Sequence, residues 1–278
     1  MPAEQIARNL AFINWTLLAA LAVGSFGAVA LLRLRTEATT GFLGFTALCA
    51  AAFGGLAWLS DGALPAAAAA GSPVTVDPAW DVPRRTALGL FAAGALVYGL
   101  LLFRGRRAAP LALGVAALGI LTMAFGALTW GGGPVGIGAL AVQLLALAAA
   151  TGGVFAAMIL GHWYLVTPKL STGPALLLSR VMLGVVAVQL VLFGLWVGLG
   201  VGTSYAPLEP LFGPWALFVW LRLAVSLVFP LVVSWAAVQT VKTRSMESAT
   251  GLLYINVALI AAGTIAAAGL YFGAGLLV

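Results

Sequence analysis

Long apolar runs separated by short polar connections recur along the chain. Eight of them cover residues 11–34, 41–59, 86–103, 110–130, 136–165, 174–200, 214–241 and 246–276. A helix crosses the hydrocarbon core of a bilayer, about 30 Å thick, with roughly 20 apolar residues, and each run comes close to that length. The pattern therefore predicts an all-α integral membrane protein, a bundle of about eight transmembrane helices.

Local signals place some of the helix starts and the longest connection. Pro110, Pro174 and Pro214 each stand at the beginning of a run, where a first-turn proline loses no hydrogen bond. The connection 61–85 is long but rich in Ala and Pro, and it does not predict an independent fold. We therefore expect residues 1–278 to form a single polytopic membrane domain, with the loop 61–85 packed on its outer face, for example against a neighbouring subunit.

Basic residues are concentrated in the connections on one side of the predicted bundle. They are Arg33, Arg35, Arg104, Arg106, Arg107, Lys169, Lys242 and Arg244. Loops retained in the cytoplasm carry the excess of Lys and Arg, so we expect this side to face the cytoplasm and both termini to face outward, into a periplasm. The expected location is a bacterial-type inner (plasma) membrane.

The composition supports the membrane class and excludes several kinds of site. The chain is 63% hydrophobic and 7% charged, whereas soluble domains are about 45–50% apolar and about 25% charged. The net charge of +6 is scattered through short connections and forms no stripe for nucleic acid, so the expected partners are membrane lipids and other membrane-protein subunits. With Cys49 and His162 each the only residue of its type, no multi-cysteine or multi-histidine metal site is expected.

Arg222 is a charged residue inside the seventh predicted helix. It shares one helix face with Ser226, Pro230 and Ser234, because the four are spaced four residues apart. It lies about eight residues from the outer end, or roughly 12 Å deep at 1.5 Å per residue. A charge at this depth indicates function by default, but the side chain could also reach the interface and pair with Glu209 or a lipid phosphate. A ligand-binding role and a structural role both stay open.

Two glutamines are expected near the depth of Arg222. Gln143 is about seven residues from the same face on the fifth helix, and Gln189 about eleven on the sixth. If these helices adjoin the seventh, the glutamines with Arg222 and Ser226 would form a pocket for an anionic or carbonyl-bearing group, such as a quinone head, a haem propionate or a carboxylate. The alternative is hydrogen bonding between helices, worth about 0.6 kcal/mol per bond.

His162 lies near the cytoplasmic end of the fifth helix, with Tyr164 beside it and Arg180 about two turns into the sixth. These three residues could contact a quinone or carry a proton, although only Glu37 and Glu247 are acidic on that side. Haem ligation by His162 would need five-coordinate iron or a methionine as the second ligand, because the chain has no second histidine. A fourth interpretation is structural, with His162 anchoring the helix end to the connecting loop.

Glycines spaced four apart occur in two of the predicted helices. Gly194, Gly198 and Gly202 lie in the sixth, and Gly269 and Gly273 in the eighth. Such a spacing lets two helix backbones approach closely. We expect packing between helices of this chain, and a face for a partner subunit is the alternative.

No pattern indicates an independent active site. The helices carry no paired carboxylates, no phosphate-binding loop and no nucleophile with a base at matching depth. We therefore expect an integral membrane subunit of a larger energy-converting or redox complex, with a structural or quinone-contacting role, and not an enzyme on its own. The first alternative is a small-molecule or lipid transporter with its site near Arg222, and the second is a haem-binding membrane protein that uses His162.

Overall fold

The protein is a bundle of helices in the computed structural model, which describes residues 1–66, 70–106, 108–167, 169–201 and 205–278. Within these ranges no strand occurs, and eight helices are long and apolar enough to cross a membrane. The prediction of eight spans is confirmed. The chain is a multi-pass membrane protein.

A short helix, α1 (Pro2–Arg8), precedes the first span. The spans are α2 (Leu10–Arg35), α3 (Thr40–Asp61), α4 (Asp81–Phe103), α5 (Ala109–Trp130), α6 (Pro134–Val166), α7 (Gly173–Leu199), the joined helices α8 (Ala216–Leu223) and α9 (Phe229–Lys242), and α10 (Met246–Ala274). A π-helical turn, Ala224–Val228, joins α8 to α9 without a break, and 3₁₀ turns at Pro78–Trp80 and Glu209–Leu211 precede α4 and α8. We call the end of the bundle that holds both chain ends the terminal face, and the other end the opposite face.

The proline signals hold for two helix starts and fail for a third. Pro110 and Pro174 lie in the first turns of α5 and α7, as predicted. Helix α8 begins at Ala216, after Pro214 instead of at it. The residues before it are held in turns, because the Gly213 N–H donates to the Glu209 carbonyl at 3.1 Å and the Ala216 N–H donates to the Gly213 carbonyl at 3.0 Å.

Helix α4 begins at Asp81, five residues before the predicted start at residue 86. The 3₁₀ turn in front of it is capped by Asp77, whose Oδ1 accepts from the Ala79 N–H at 3.0 Å. The first turn of α4 contains a buried charge, Arg84, which is 3% exposed. Residues 81–85, which the sequence predicts as the end of the loop, are therefore part of the helix.

Helices α2 and α6 form the centre of the bundle. Their most apolar windows are 61% and 72% buried, against 28% for α7 and for the span α8–α9. The two central helices touch through glycine: a Cβ on Gly24 would lie 1.7 Å from the Ala148 carbonyl oxygen. At the same crossing, Ser25 Oγ donates to the Gly152 carbonyl at 3.2 Å. The outer spans α7 and α8–α9 leave most of their surface for lipid or another protein.

The described part of the connection between α3 and α4 packs against the bundle of the same chain. Ser72 Oγ donates to the Phe272 carbonyl at 2.7 Å, and the Asp77 N–H donates to the Thr129 carbonyl at 2.8 Å. A neighbouring subunit is therefore not needed to hold this loop in place.

Candidate functional site

Arg222 is buried inside the bundle, only 2% exposed. It lies in α8 about six residues from the start of that helix at Ala216, which is roughly 9 Å along the axis. Its guanidinium does not reach Glu209, the acidic partner considered from the sequence. Glu209 instead accepts a hydrogen bond from the Ala206 N–H at 2.8 Å. The charge is therefore held within the membrane-spanning part of the chain.

The hydrogen bonds of Arg222 involve neutral oxygens. Nη2 donates to Gln189 Oε1 at 3.2 Å, and Nη1 lies at the long distance of 3.5 Å from the Ser226 carbonyl oxygen. Nε is buried and has no acceptor within the described residues. No ion pair to Arg222 occurs among them either. A buried cation with neutral partners and a free donor is costly, so this position is a candidate anion- or carbonyl-binding site.

The backbone of the seventh span explains the contact with Ser226. In an α-helix this carbonyl would accept from the N–H four residues later, but Pro230 has no N–H. The π-helical turn Ala224–Val228 lies at the same point, and such turns are frequent at functional sites. The Ser226 carbonyl is therefore open to Arg222, and the residue contributes its backbone oxygen to this contact.

Gly263 of α10 makes room for the guanidinium. A Cβ at this position would lie 2.7 Å from Arg222 Nη1 and 2.5 Å from Ser226 Cβ. Sequence reasoning missed this residue, because an isolated glycine in an apolar helix carries no signal until the neighbouring helix is known.

Gln189 connects Arg222 to α6. Its Oε1 accepts from Arg222, and its Nε2 donates to the Ala146 carbonyl at 2.8 Å. The predicted proximity of Arg222, Gln189 and Ser226 is therefore seen in the structure. Each interhelical hydrogen bond of this kind also stabilises packing, by about 0.6 kcal/mol.

Gln143 lies in the same region but has other partners. Its Nε2 donates to the Val278 carbonyl oxygen at 2.5 Å, and its Oε1 accepts from Trp196 Nε1 at 3.3 Å. No hydrogen bond joins it to Arg222 in the part of the chain that the structure describes. Gln143 and Arg222 are only 5% and 2% exposed, so the cluster is a packed group of polar side chains.

The predicted group at the opposite face is dispersed. His162 and Arg180 are both exposed, whereas Tyr164 is buried and donates its hydroxyl to the Ser171 carbonyl. No hydrogen bond joins these three residues within the described ranges. Tyr164, and not His162, anchors the helix end to the following loop, and His162 points out of the bundle.

Metal and haem sites find no support in this geometry. Among the described residues, no group of three His, Cys, Asp or Glu side chains could hold a metal ion. His162 is exposed, so a haem bound through it would lie on the outside of the bundle.

The glycine motifs behave differently in α7 and α10. Gly269 and Gly273 pack inside the protein, since Cβ atoms there would lie 3.6 Å from Ile6 and 3.2 Å from Trp215. Gly194 and Gly198 have no atom within 4 Å of a built Cβ. Among the described residues, these two glycines therefore lack the close packing within the chain that was expected. Gly202 lies outside the described residues.

A second buried charge, Arg84, was not singled out from the sequence. Its guanidinium donates to Asp61 at 2.9 and 3.3 Å, to Asp81 at 2.7 Å and to Thr129 Oγ1 at 3.0 Å. It also stacks 4.5 Å from the Trp130 ring. The ends of α3, α4 and α5 are joined at this point of the terminal face, so Arg84 forms a structural connection in which its own charge is compensated.

Comparison of the chain with protein-family models, curated proteins and solved structures finds no match.

Proposed function

We propose that this multi-pass membrane protein is a subunit of a larger membrane complex, with a structural or quinone-contacting role and no independent catalysis. The observation that carries the proposal is the glycine pair of α7. Gly194 is exposed and Gly198 half-buried, and a Cβ placed at either position would meet none of the described residues within 4 Å. Such spacing is typical of a close helix–helix contact, and no helix in the described part of the chain makes one with this pair.

The surroundings of the glycine pair fit a protein contact. Val191 and Leu195 are 61% and 44% exposed, and with Gly194 and Gly198 they form what we call the α7 surface. Side chains of medium size beside two glycines leave a shallow groove along the helix. A transmembrane helix of another subunit can pack there by van der Waals contact, the main force between helices in lipid.

The opposite face supports the redox part of the proposal. His162 and Arg180 are exposed there, and an outward side chain can meet only a molecule outside the bundle. Such a partner is a quinone dissolved in the bilayer or another subunit with a polar side chain at this position. We therefore extend the proposal to an energy-converting redox complex, with His162 as the quinone contact.

The proposal includes an orientation. The basic residues Arg33, Arg35, Arg104, Arg106, Lys169, Lys242 and Arg244 belong to the opposite face. Because cytoplasmic loops carry the excess of basic residues, the opposite face is assigned to the cytoplasm and both termini to the periplasm of a bacterial-type inner membrane.

The subunit proposal is tested by native purification from the source membrane. The chain should elute in a particle larger than the chain in its detergent micelle, together with other membrane proteins. The change of Gly194 and Gly198 to Leu should release it as a single chain, whereas Gly114→Leu should not. Gly114 is a matched control because it also lies in a span, α5, with nothing within 4 Å of a built Cβ. Recovery of the unaltered chain alone and monodisperse would remove the proposal.

The quinone contact has its own test. His162→Gln should leave assembly intact and lower quinone-coupled turnover of the purified complex, since the outward ring is not needed for packing. Normal turnover would remove His162 from the proposal.

A second candidate function is transport of a small anion or lipid by way of Arg222. It is favoured by one observation, the buried guanidinium with neutral partners and a free Nε. Arg222→Gln should abolish uptake of the substrate into vesicles, and unchanged uptake would exclude this site. The alternative of haem binding through His162 is tested by the reduced-minus-oxidised absorption spectrum of the isolated chain. A Soret band would support it, and a spectrum without one would exclude it.

A further inference from the structure

A cavity of about 760 Å³ lies at the terminal face, between the described part of the connection 62–80 and the ends of the helices. Apolar side chains form much of its wall: Phe12, Leu64, Val74, Val76 and Trp130. The volume falls in the range of about 300–1,000 Å³ that small-molecule sites occupy. The cavity can therefore take an apolar group from water or from the edge of the bilayer.

Four charged side chains also line this cavity: Asp61, Asp81, Arg84 and Arg85. Asp61 and Arg84 are both 3% exposed in their side chains and form a bidentate pair with each other. Because the two side chains are hydrogen-bonded to each other and buried, they offer little accessible charge to a ligand. The charges that can act on a ligand are those of Asp81 and Arg85.

Arg85 is held in place without an acidic partner. Its guanidinium lies 4.8 Å from the centre of the Trp58 ring. The guanidinium also fits against Gly62, where a Cβ would lie 2.5 Å from Nη1. No hydrogen bond or ion pair of Arg85 to a carboxylate is formed in the part of the chain that the structure describes. A positioned guanidinium of this kind is suited to a phosphate or carboxylate.

Asp81 offers the opposite charge nearby. Its Oδ1 accepts from Arg84 at 2.7 Å, and its side chain is 48% exposed. Arg84 pairs with both Asp61 and Asp81. One positive and two negative side chains leave this group with one net negative charge. Asp81 and Arg85 are four residues apart in α4 and share a helix face, about 5–6 Å apart at Cβ.

We propose that this terminal-face cavity binds a zwitterionic amphiphile. Arg85 holds the phosphate or carboxylate, Asp81 accepts from the ammonium, and the apolar part lies against Phe12 and Trp130. One uncompensated charge of each sign matches a ligand of zero net charge better than a simple anion or cation. Two sources share this chemistry: a lipid with an ammonium–phosphate headgroup, and a free amino acid with an apolar side chain.

Calorimetric titration of the full chain in dodecyl maltoside, an uncharged detergent, tests the proposal. The probes are dihexanoyl phosphatidylethanolamine, dihexanoyl phosphatidylglycerol, which lacks the ammonium, and leucine. We expect a zwitterionic probe to bind at least tenfold more tightly than phosphatidylglycerol. Binding of phosphatidylethanolamine alone assigns the site to a lipid, and binding of leucine alone assigns it to a soluble zwitterion. No binding by either, or equal binding of the two lipids, overturns the proposal.

Variants connect the binding to Arg85. Arg85→Gln should weaken zwitterion binding at least tenfold. Gly62→Val should do the same with the charge retained, because the new side chain displaces the end of a flexible arginine and leaves the fold intact. Arg104→Gln is the matched control, an exposed arginine at the opposite face, and should leave binding unchanged. Unchanged affinity in both Arg85→Gln and Gly62→Val overturns the assignment.

Discussion

Replacement of Gly24 by Ala tests the packing on which the whole bundle depends. The added Cβ would lie 1.7 Å from the Ala148 carbonyl oxygen, whereas ordinary contact begins at 3.4 Å. The oxygen belongs to a helix backbone and the Cβ is bonded directly to Cα, so neither atom can turn away and α2 and α6 must separate by about 1.7 Å. That movement also takes Ser25 Oγ out of hydrogen-bond range of the Gly152 carbonyl, which is now 3.2 Å away.

The expected loss of stability combines two terms. Overpacking of a well-packed interior costs about 1–3 kcal/mol, and the lost interhelical hydrogen bond about 0.6 kcal/mol. We therefore expect Gly24→Ala to lower the free energy of unfolding by about 2–4 kcal/mol. Gly27→Ala is the matched control, because Gly27 lies on the same helix and a Cβ there would meet nothing within 4 Å.

The measurement is reversible unfolding of the purified chain by dodecyl sulfate in mixed micelles, followed by tryptophan fluorescence. Gly27→Ala should unfold at the same detergent fraction as the unaltered chain or slightly later, since Ala is the better helix former by about 1 kcal/mol. If Gly24→Ala and Gly27→Ala had equal stability, the close crossing of α2 and α6 would be refuted.

Three further substitutions are measured in the same unfolding assay. Asp61→Asn should destabilise the chain by about 3 kcal/mol, since half of a buried ion pair with Arg84 is removed; a loss under about 1 kcal/mol would contradict a buried pair. Gly263→Ala should cost about 1–3 kcal/mol, because the new methyl group overlaps the Arg222 guanidinium; full stability would show that the guanidinium lies elsewhere. Tyr164→Phe should cost about 0.5–1.5 kcal/mol, the value of one hydrogen bond, and no loss would mean that its hydroxyl does not hold the loop.

The number of spans was readable from the sequence because length and hydropathy alone decide whether a helix can cross a membrane. The start of α4 was not. Asp81, Arg84 and Arg85 resemble a loop by composition, and only the structure shows that Arg84 is buried between two carboxylates and the Trp130 ring. An ion pair allows a charge to be buried away from water. A hydropathy pattern cannot show the pair of Arg84 and Asp61, because the two residues are 23 positions apart in the sequence.

The polar cluster was predictable in part. Counting residues from the membrane surface placed Arg222 and Gln189 at compatible depths, and they form a hydrogen bond. Depth does not say which helices adjoin, so the role of Gly263 on α10 could not be foreseen. Gln143 was expected in the same pocket but binds the Val278 carbonyl, a partner at a chain end that has no pattern of its own.

Arg84 and Arg222 are both buried but differ in their partners. Arg84 has two carboxylates, a hydroxyl and an aromatic ring as partners, so its burial is compensated and its role is explained by the fold. Arg222 has one amide oxygen and a distant carbonyl. A nonpolar side chain of similar volume would fill its place without an unpaired charge, and such replacements are often neutral or stabilising. Stability therefore gives no reason for a guanidinium at this point, and this is the argument for testing the transport role proposed for Arg222.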